Sequence, residues 1–315
     1  MSKPLKPPMS ITQQIDLLRA RGMYVDEEVA RQWLPNVSYY RLSAYWYPAR
    51  QMDSRGVRGD DFAPGTTFTQ AVQLYEADRK LRTLVHDGME RVEVCMRTRI
   101  GNHLAEAGTL AYTNPALFRP SFNHEQWLRT AERRIDRASR HNDAIDHHRN
   151  LYGNRFPFWV LAEVLDFSDV SRLYEGLPAQ AQRDIAEGLG LVINLDALSS
   201  GQRTKAKKQS PLVRWLEQLT IIRNTCAHHG RLWNKAFAPA PTTALRSQPN
   251  FSLLPEGQSE RIFGALVVMA RLLDATSPGG SWPRRVAELL SAEFLPNPLV
   301  NPSSMGLPAQ WNHVL

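Results

Sequence analysis

The longest regular pattern in this chain is a run of apolar residues that advances by threes and fours. It starts at Leu81 and continues through Val85, Met89, Val92, Met96 and Ile100 to Leu104, about six helical turns. A strand buries every second residue, so it cannot produce this spacing. The pattern predicts one long helix, opened at Thr67, as the backbone of the core.

Helical periodicity also dominates the rest of the chain, and no run of alternating residues is flanked by a tight hairpin turn. We therefore expect an all-α fold. The pattern divides into an N-terminal helical extension over residues 1–65, a helical core over 66–275, and a C-terminal helix with a Pro-rich arm over 276–315. Residues 50–65, rich in Gly, Asp and Arg, predict a solvated loop. The prolines after residue 295 predict an irregular arm on the surface.

The charge balance favours a polyanionic partner. The 315 residues carry a formal charge of +7 and a pI near 9.6, and basic side chains that neutralise phosphates release condensed counterions. Cys95 and Cys226 lie in helical patterns without the partners of a disulfide framework or a metal site. The N-terminus has no apolar signal segment, and no stretch reaches the roughly 18 apolar residues that span a bilayer. We expect a cytoplasmic protein with no membrane association, metal or cofactor.

A second apolar stripe with helical spacing runs from residue 215 to residue 233, and its second half includes the polar segment 223–231. Its spacing of threes and fours predicts a buried face, and it consists of Trp215, Leu219, Ile222, Cys226, His229 and Trp233. In this phase His229 is predicted to be a buried packing histidine, because an imidazole can be buried when it is hydrogen-bonded. Gly230 is predicted to end the helix as its first left-handed residue.

The opposite face of the same helix carries a candidate catalytic group. Asn224, His228 and Arg231 fall together about 180° from the buried stripe, and Arg223 lies on the flank. We expect Asn224 and His228 to be accessible in a groove. Arginine, asparagine and histidine are side chains that grip and cleave phosphodiesters, which makes Arg223, Asn224 and His228 the candidate catalytic residues. The other interpretation of Arg223 is a surface ion pair or a helix cap.

Further basic residues are candidate phosphate contacts. Arg41 lies in an aromatic segment, 39–47, whose composition favours packing over base stacking. Arg97 either pairs with Glu93 or lines a cleft. Residues 124–149 predict one basic helical stretch that either contacts phosphates or is solvated, and residues 199–210 predict a basic loop. The complete set is Arg41, Arg97, Arg133, Arg137, Arg140, Lys205, Lys207, Lys208 and Arg231.

Several short segments resemble the Abi family of bacterial abortive-infection proteins, of the AbiD and AbiF type. They are Ser38–Pro48, Leu74–Arg82, Pro157–Trp159, Cys226–His229 and Leu232–Asn234, in an order and spacing that match over roughly residues 10–275. Met305–Pro308 followed by Trp311 is similar to the C-terminal end of that family. Arg223, followed after four residues by His228, resembles the motif of the HEPN superfamily of helical proteins, many of which are metal-independent ribonucleases.

The resemblance implies a HEPN-like helical bundle, a role in phage defence or as a toxin, and RNA as substrate. It also implies a homodimer, in which each subunit supplies one Arg223 and one His228. One histidine cannot be general base and general acid at once, so a dimer provides both roles. Cleavage would survive chelation and leave a 2′,3′-cyclic phosphate. The alternative is a non-catalytic RNA-binding regulatory protein that uses the same basic surfaces. A separate hypothesis is an effector that is modified by a nucleotide or controlled by an RNA or protein antitoxin.

Overall fold

The computed structural model describes residue 5 and residues 7–315. Residues 1–4 and 6, part of the predicted N-terminal extension, lie outside the described residues. The helices in chain order are α1 (Ile11–Ala20), α2 (Glu27–Val37), α3 (Tyr39–Trp46), α4 (Phe68–Ala105), α5 (His124–Ala138), α6 (Asp143–Tyr152), α7 (Phe158–Leu161), α8 (Phe167–Gly176), α9 (Ala179–Glu187), α10 (Ser200–Lys208), α11 (Leu212–Ala227), α12 (Ile262–Thr276), α13 (Trp282–Leu289) and α14 (Pro302–Met305).

Helix α4 is the central element, with 38 residues and a length of about 57 Å at 1.5 Å per residue. The Thr67 hydroxyl accepts a hydrogen bond from the Gln70 amide, and the Gln70 side chain accepts one from the Thr67 amide, so a capping box starts the helix. Its predicted apolar series is buried throughout, against α3, α7, α8, α11, α12 and α13. Within the described ranges, no helix combines the length and apolarity required to cross a membrane.

Two small antiparallel strand pairs accompany the helices: β1 (Arg50–Met52) with β2 (Arg58–Phe62), which form a hairpin, and β3 (Ala240–Pro241) with β4 (Gln258–Ser259). The all-α fold is thus confirmed. The prediction of a loop for residues 50–65 is wrong, because this segment forms the β1–β2 hairpin. Asp53 closes the turn, since its carboxylate accepts from the amides of Arg55 and Val57, while Gly56 adopts φ +77°.

The C-terminal segment packs into the core, so the prediction of an irregular arm on the surface is wrong. Met305, Leu307, Trp311 and Leu315 are all buried, and the Trp311 ring meets Phe263 edge to face, with centroids 5.6 Å apart. The apolar residues between the prolines explain this, because their burial outweighs the lack of regular structure. One apolar cluster runs from α1 to the C-terminal residue, while the segment boundaries near 65 and 275 stay a prediction.

Two basic segments also differ from expectation. Residues 124–149 form α5 and α6 rather than one stretch, because the chain turns at 139–142 and the Asn142 side chain caps α6 by accepting from the Ile145 amide. Residues 199–210 form α10 rather than a loop. A capping box between Ser199 and Gln202 starts this helix and favours helical backbone over the polar composition.

Candidate functional site

Helix α11 ends in a turn that determines where both adjacent histidines point. Its last helical residue is Ala227 and its C-cap is His228. The amide of His229 donates to the Cys226 carbonyl at 2.9 Å, and the amide of Gly230 donates to the Thr225 carbonyl at 2.7 Å. These two bonds make a Schellman motif with His229 as the left-handed residue, at φ +55°.

The helix therefore ends one residue earlier than the sequence indicates, and the assignment of Gly230 as the left-handed residue is wrong. Gly230 is still required, because a Cβ there would lie 2.8 Å from Thr225 Cγ2 and 3.1 Å from the Thr225 carbonyl oxygen. The turn also changes the phase of the chain after Ala227. As a result His229 is exposed, and its prediction as a packing histidine is wrong.

The motif side chains lie on the exposed end of α11. Asn224 and His228 are exposed, while Ile222 and Cys226 are 0% and 2% exposed, so the predicted burial of these four positions is confirmed. Arg223 is 35% exposed at its side chain, and its Nε lies 3.9 Å from Oε2 of Glu93. Its Nη1 also donates to Asn224 Oδ1 at 3.2 Å. These contacts orient the guanidinium.

Two cavities, which together we call the α4–α11 groove, lie beside the motif. The smaller, about 220 Å³, is lined by Arg223, Glu93 and Arg97 among others. The larger, about 480 Å³, is lined by Arg41, Arg79, Arg82 and His229 among others. His86 lines both, so the cavities adjoin. Asn224 and His228 line neither, and the groove predicted around them lies instead against Arg223 and His229.

His86 is one of the groove residues that sequence reasoning missed, with Arg79 and Arg82. It is exposed on α4, where Arg79, Thr83, His86, Glu90, Glu93 and Arg97 follow one another by threes and fours. From His86 onward, this polar stripe was visible in the sequence one residue after successive members of the apolar series, about 100° around the long helix from it. Its position facing α11 depends on how the two helices pack.

Arginine dominates the groove electrostatically. Arg79 pairs with Glu76 at 2.9 Å, and Arg97 pairs with Glu93 at 2.5 Å while donating to the Leu165 carbonyl at 2.8 Å. Arg41 Nη1 donates to the His229 carbonyl at 2.6 Å. In the described part of the chain no carboxylate lies within ion-pair distance of Arg41. The guanidinium of Arg41 therefore retains N–H donors for an anion in the groove.

A buried carboxylate ties the groove wall to the segment after the motif. Asp78 is 0% exposed and accepts from the Trp233 amide at 2.8 Å, the Leu232 amide at 3.1 Å, and the Tyr45 hydroxyl at 2.7 Å. Arg82 Nη1 completes the group at 2.5 Å. Burial raises the pKa of the Asp78 carboxyl, and the guanidinium, the hydroxyl and the two amides oppose that shift.

Cys226, between the motif residues, has no nucleophilic role at neutral pH. Burial raises the pKa of its thiol to about 12, and the Asp78 carboxylate adds to the shift. The thiol therefore stays protonated, and the thiolate is the reactive form.

Comparison with known protein families identifies the chain. The sequence profile described as Abi-like protein matches residues 32–234. The chain belongs to the Abi-like protein family. The matched range includes Arg41, all of α4 and α11, and ends at Asn234, directly after the segment held by Asp78. Neither the curated proteins nor the solved structures yielded a match.

In this Abi-like protein, Arg231 does not lie on the exposed face where it was predicted. Arg231 does not share a face with Asn224 and His228, because the chain has left the helix before it. Its Nη1 donates to the Ala44 carbonyl, its Cζ lies 5.6 Å from the centre of the Trp233 ring, and burial lowers its pKa. The side chain packs α3 against the motif segment, so its predicted exposure is wrong.

The remaining basic candidates in the Abi-like protein lie away from the groove lining. Arg133 and Arg137 line a cavity of about 300 Å³ on α5, and Arg140 is exposed in the turn that follows. Lys205, Lys207 and Lys208 are exposed on α10. Within residues 5 and 7–315, no cluster of three or more His, Cys, Asp or Glu side chains has the arrangement to hold a metal ion.

Proposed function

We propose that this Abi-like protein is a metal-independent endoribonuclease of the HEPN type that acts in bacterial phage defence or as a toxin. The observation that carries the proposal is the exposed end of α11, where Arg223, Asn224 and His228 stand together beside an arginine-lined groove. Arg41, from 188 residues away along the chain, adds a positive charge to the same place. RNA, with one charge per nucleotide, is the complementary ligand.

In the proposed reaction, the imidazole of His228 accepts the proton of a ribose 2′-hydroxyl. The 2′-oxygen then attacks the adjacent phosphorus, and the bond from phosphorus to the 5′-oxygen breaks. Arg223 stabilises the extra negative charge of the phosphorane, and an imidazolium donates a proton to the leaving oxygen. The products are a 2′,3′-cyclic phosphate and a 5′-hydroxyl, and no step requires a redox change.

The proton for the leaving oxygen requires a second group. We propose a homodimer, in which a second copy of α11 brings its own His228 to the same phosphate. His229 and His86 are the competing donors within one chain, since both line the groove. An RNA or protein antitoxin that covers the groove would then control the activity.

The test is to incubate purified protein with total RNA in EDTA and to map the ends of the products. We expect the wild-type protein to produce 2′,3′-cyclic phosphate ends and His228→Ala to lose this activity. His147→Ala, which removes an exposed histidine on α6, is the matched control and should cleave normally. Binding of RNA without cleavage would replace the proposal with a non-catalytic RNA-binding regulator, an outcome that the basic groove would equally explain.

A further inference from the structure

A separate cavity of about 650 Å³ lies between the start of α5, α8 and α11. We call it the α8–α11 cavity. Its volume is within the range of roughly 300–1,000 Å³ that is typical of small-molecule sites. On α11 its lining residues run from Val213 to Ile221, before the motif residues. The charged and aromatic side chains that matter for its chemistry are Arg119, Phe122, Arg172, Glu175, Lys208, Arg214 and Glu217.

The cavity has an excess of positive charge. Both of its carboxylates pair with the same arginine: Arg214 lies 2.7 Å from Glu217 and 3.7 Å from Glu175. Arg172 and Lys208 are exposed, and neither has a carboxylate within 4.0 Å among the residues that the structure describes. Arg119 also lines the cavity, donates from Nη2 to the Lys208 carbonyl at 2.9 Å, and has no carboxylate within that distance among the described residues. Three cations therefore line the cavity without an internal counterion, which is an arrangement that suits phosphate groups.

The rest of the lining suits a nucleoside. The Phe122 ring is partly exposed to the cavity and is supported from behind by Gly176, where a Cβ would come within 2.6 Å of the ring. A supported aromatic ring is a platform on which any base can stack. Ser121 and Ser168 add hydroxyls at the wall, groups that hydrogen-bond ribose and base edges.

The cavity and the motif share one face of α11. Its exposed residues Arg214, Glu217, Ile221, Asn224 and His228 follow one another by threes and fours. Ile221 lines the cavity, and His228 lies seven residues later, a rise of about 10 Å. A strand whose phosphate lies at His228 can therefore reach the cavity with its next few nucleotides.

We propose that the α8–α11 cavity binds nucleotides of the RNA strand that flank the cleaved phosphate. In this arrangement Arg172 and Lys208 hold phosphates, and Phe122 stacks a base. The inference rests on the proposed ribonuclease function, which it deepens by adding a substrate-binding subsite. Recognition through stacking and phosphate contact is tolerant of sequence, so the subsite contributes affinity and strand position.

The test measures binding separately from cleavage. A fluorescent single-stranded 12-nucleotide RNA is titrated with His228→Ala protein in EDTA at several salt concentrations. Adding Arg172→Ala and Lys208→Ala together should raise the Kd about tenfold and reduce the slope of log Kd against log salt by about 1–2. Phe122→Leu should raise the Kd with an unchanged salt slope. The control Arg55→Ala with Arg284→Ala, which removes two exposed arginines elsewhere, should leave both quantities unchanged.

The outcomes separate this inference from the proposed function. Wild-type protein that binds RNA through Arg172 and Lys208 but never cleaves it would support the subsite and reject the ribonuclease. Cleavage by wild type together with an unchanged Kd in the double variant would overturn the subsite alone. Adenosine monophosphate is the competitor, and we expect it not to displace the 12-mer. Displacement that disappears in the double variant would assign the cavity to a free nucleotide and overturn the strand-binding inference.

Discussion

The carboxylate of Asp78 accepts a hydrogen bond from the main-chain amide of Trp233 at 2.8 Å, in a fully buried position. This bond joins the central helix to the chain directly after the motif turn. Since Arg82 pairs with the same carboxylate and also lines the groove, one buried group orients both the groove wall and the end of α11. The site is thus built on the core rather than on a mobile loop.

Asp78→Asn should destabilise the protein strongly. The substitution leaves the buried guanidinium of Arg82 without its counterion, and breaking a buried pair in this way costs about 3–5 kcal/mol. Urea unfolding measures the loss. Asp274→Asn, which breaks the exposed pair with Arg271, is the control and should cost roughly 0–1 kcal/mol. Equal effects of the two substitutions would show that the Asp78 group does not hold the fold.

The two adjacent histidines should differ in their effect on cleavage. His228→Ala should reduce the rate roughly 10²–10⁴-fold, the usual effect of removing a general acid or base. For His229 the informative change is His229→Gly, because glycine adopts the φ of +55° that this turn requires. We expect His229→Gly to keep the melting temperature and to retain most of the activity. A loss equal to that of His228→Ala would make His229 the second proton donor within one chain.

Mixed dimers test whether the active site is composite. Arg223→Ala and His228→Ala proteins should each be nearly inactive, and Arg223→Lys should not restore activity, because an ammonium lacks the planar two-donor fork. If a site takes Arg223 and His228 from different chains, mixing the two alanine variants should restore part of the activity. Cleavage assays after co-refolding measure this. A wild-type enzyme that is active as a strict monomer would contradict the prediction.

The thiol of Cys226 should make stability depend on alkaline pH. Its pKa is raised to about 12 in the fold from an ordinary value near 9. Between these two values the thiol ionises in the unfolded state but not in the folded state. The stability that the buried neutral thiol contributes is therefore fully present below pH 9 and is lost as the pH rises toward 12. The urea midpoint of wild type should therefore fall more between these values than that of Cys226→Ala. Parallel curves for the two proteins would contradict the shift. Cleavage at neutral pH should be retained by Cys226→Ala in either case.

Local patterns in the chain were sufficient for most of the helices and for part of the site. Capping residues such as Ser10, Asp26 and Thr67 mark helix starts where the structure has them, since a cap acts within one turn. The exposure of Asn224 and the burial of Cys226 also followed from periodicity, because both lie within the regular part of α11. The same reasoning failed for His229 and Arg231, which lie beyond the turn that changes the phase.

Contacts between distant segments decided the remainder. Arg41 reaches the His229 carbonyl across 188 residues of sequence, and Asp78 reaches the Trp233 amide across 155. Burial of the C-terminal segment also depends on a distant contact. Its apolar residues are ordered only because they pack against core side chains, as Trp311 does against Phe263. Periodicity reports which face of one helix is apolar and is silent on which other segment covers it. The residues of the motif could therefore be read from the sequence, while the groove beside them exists only through packing.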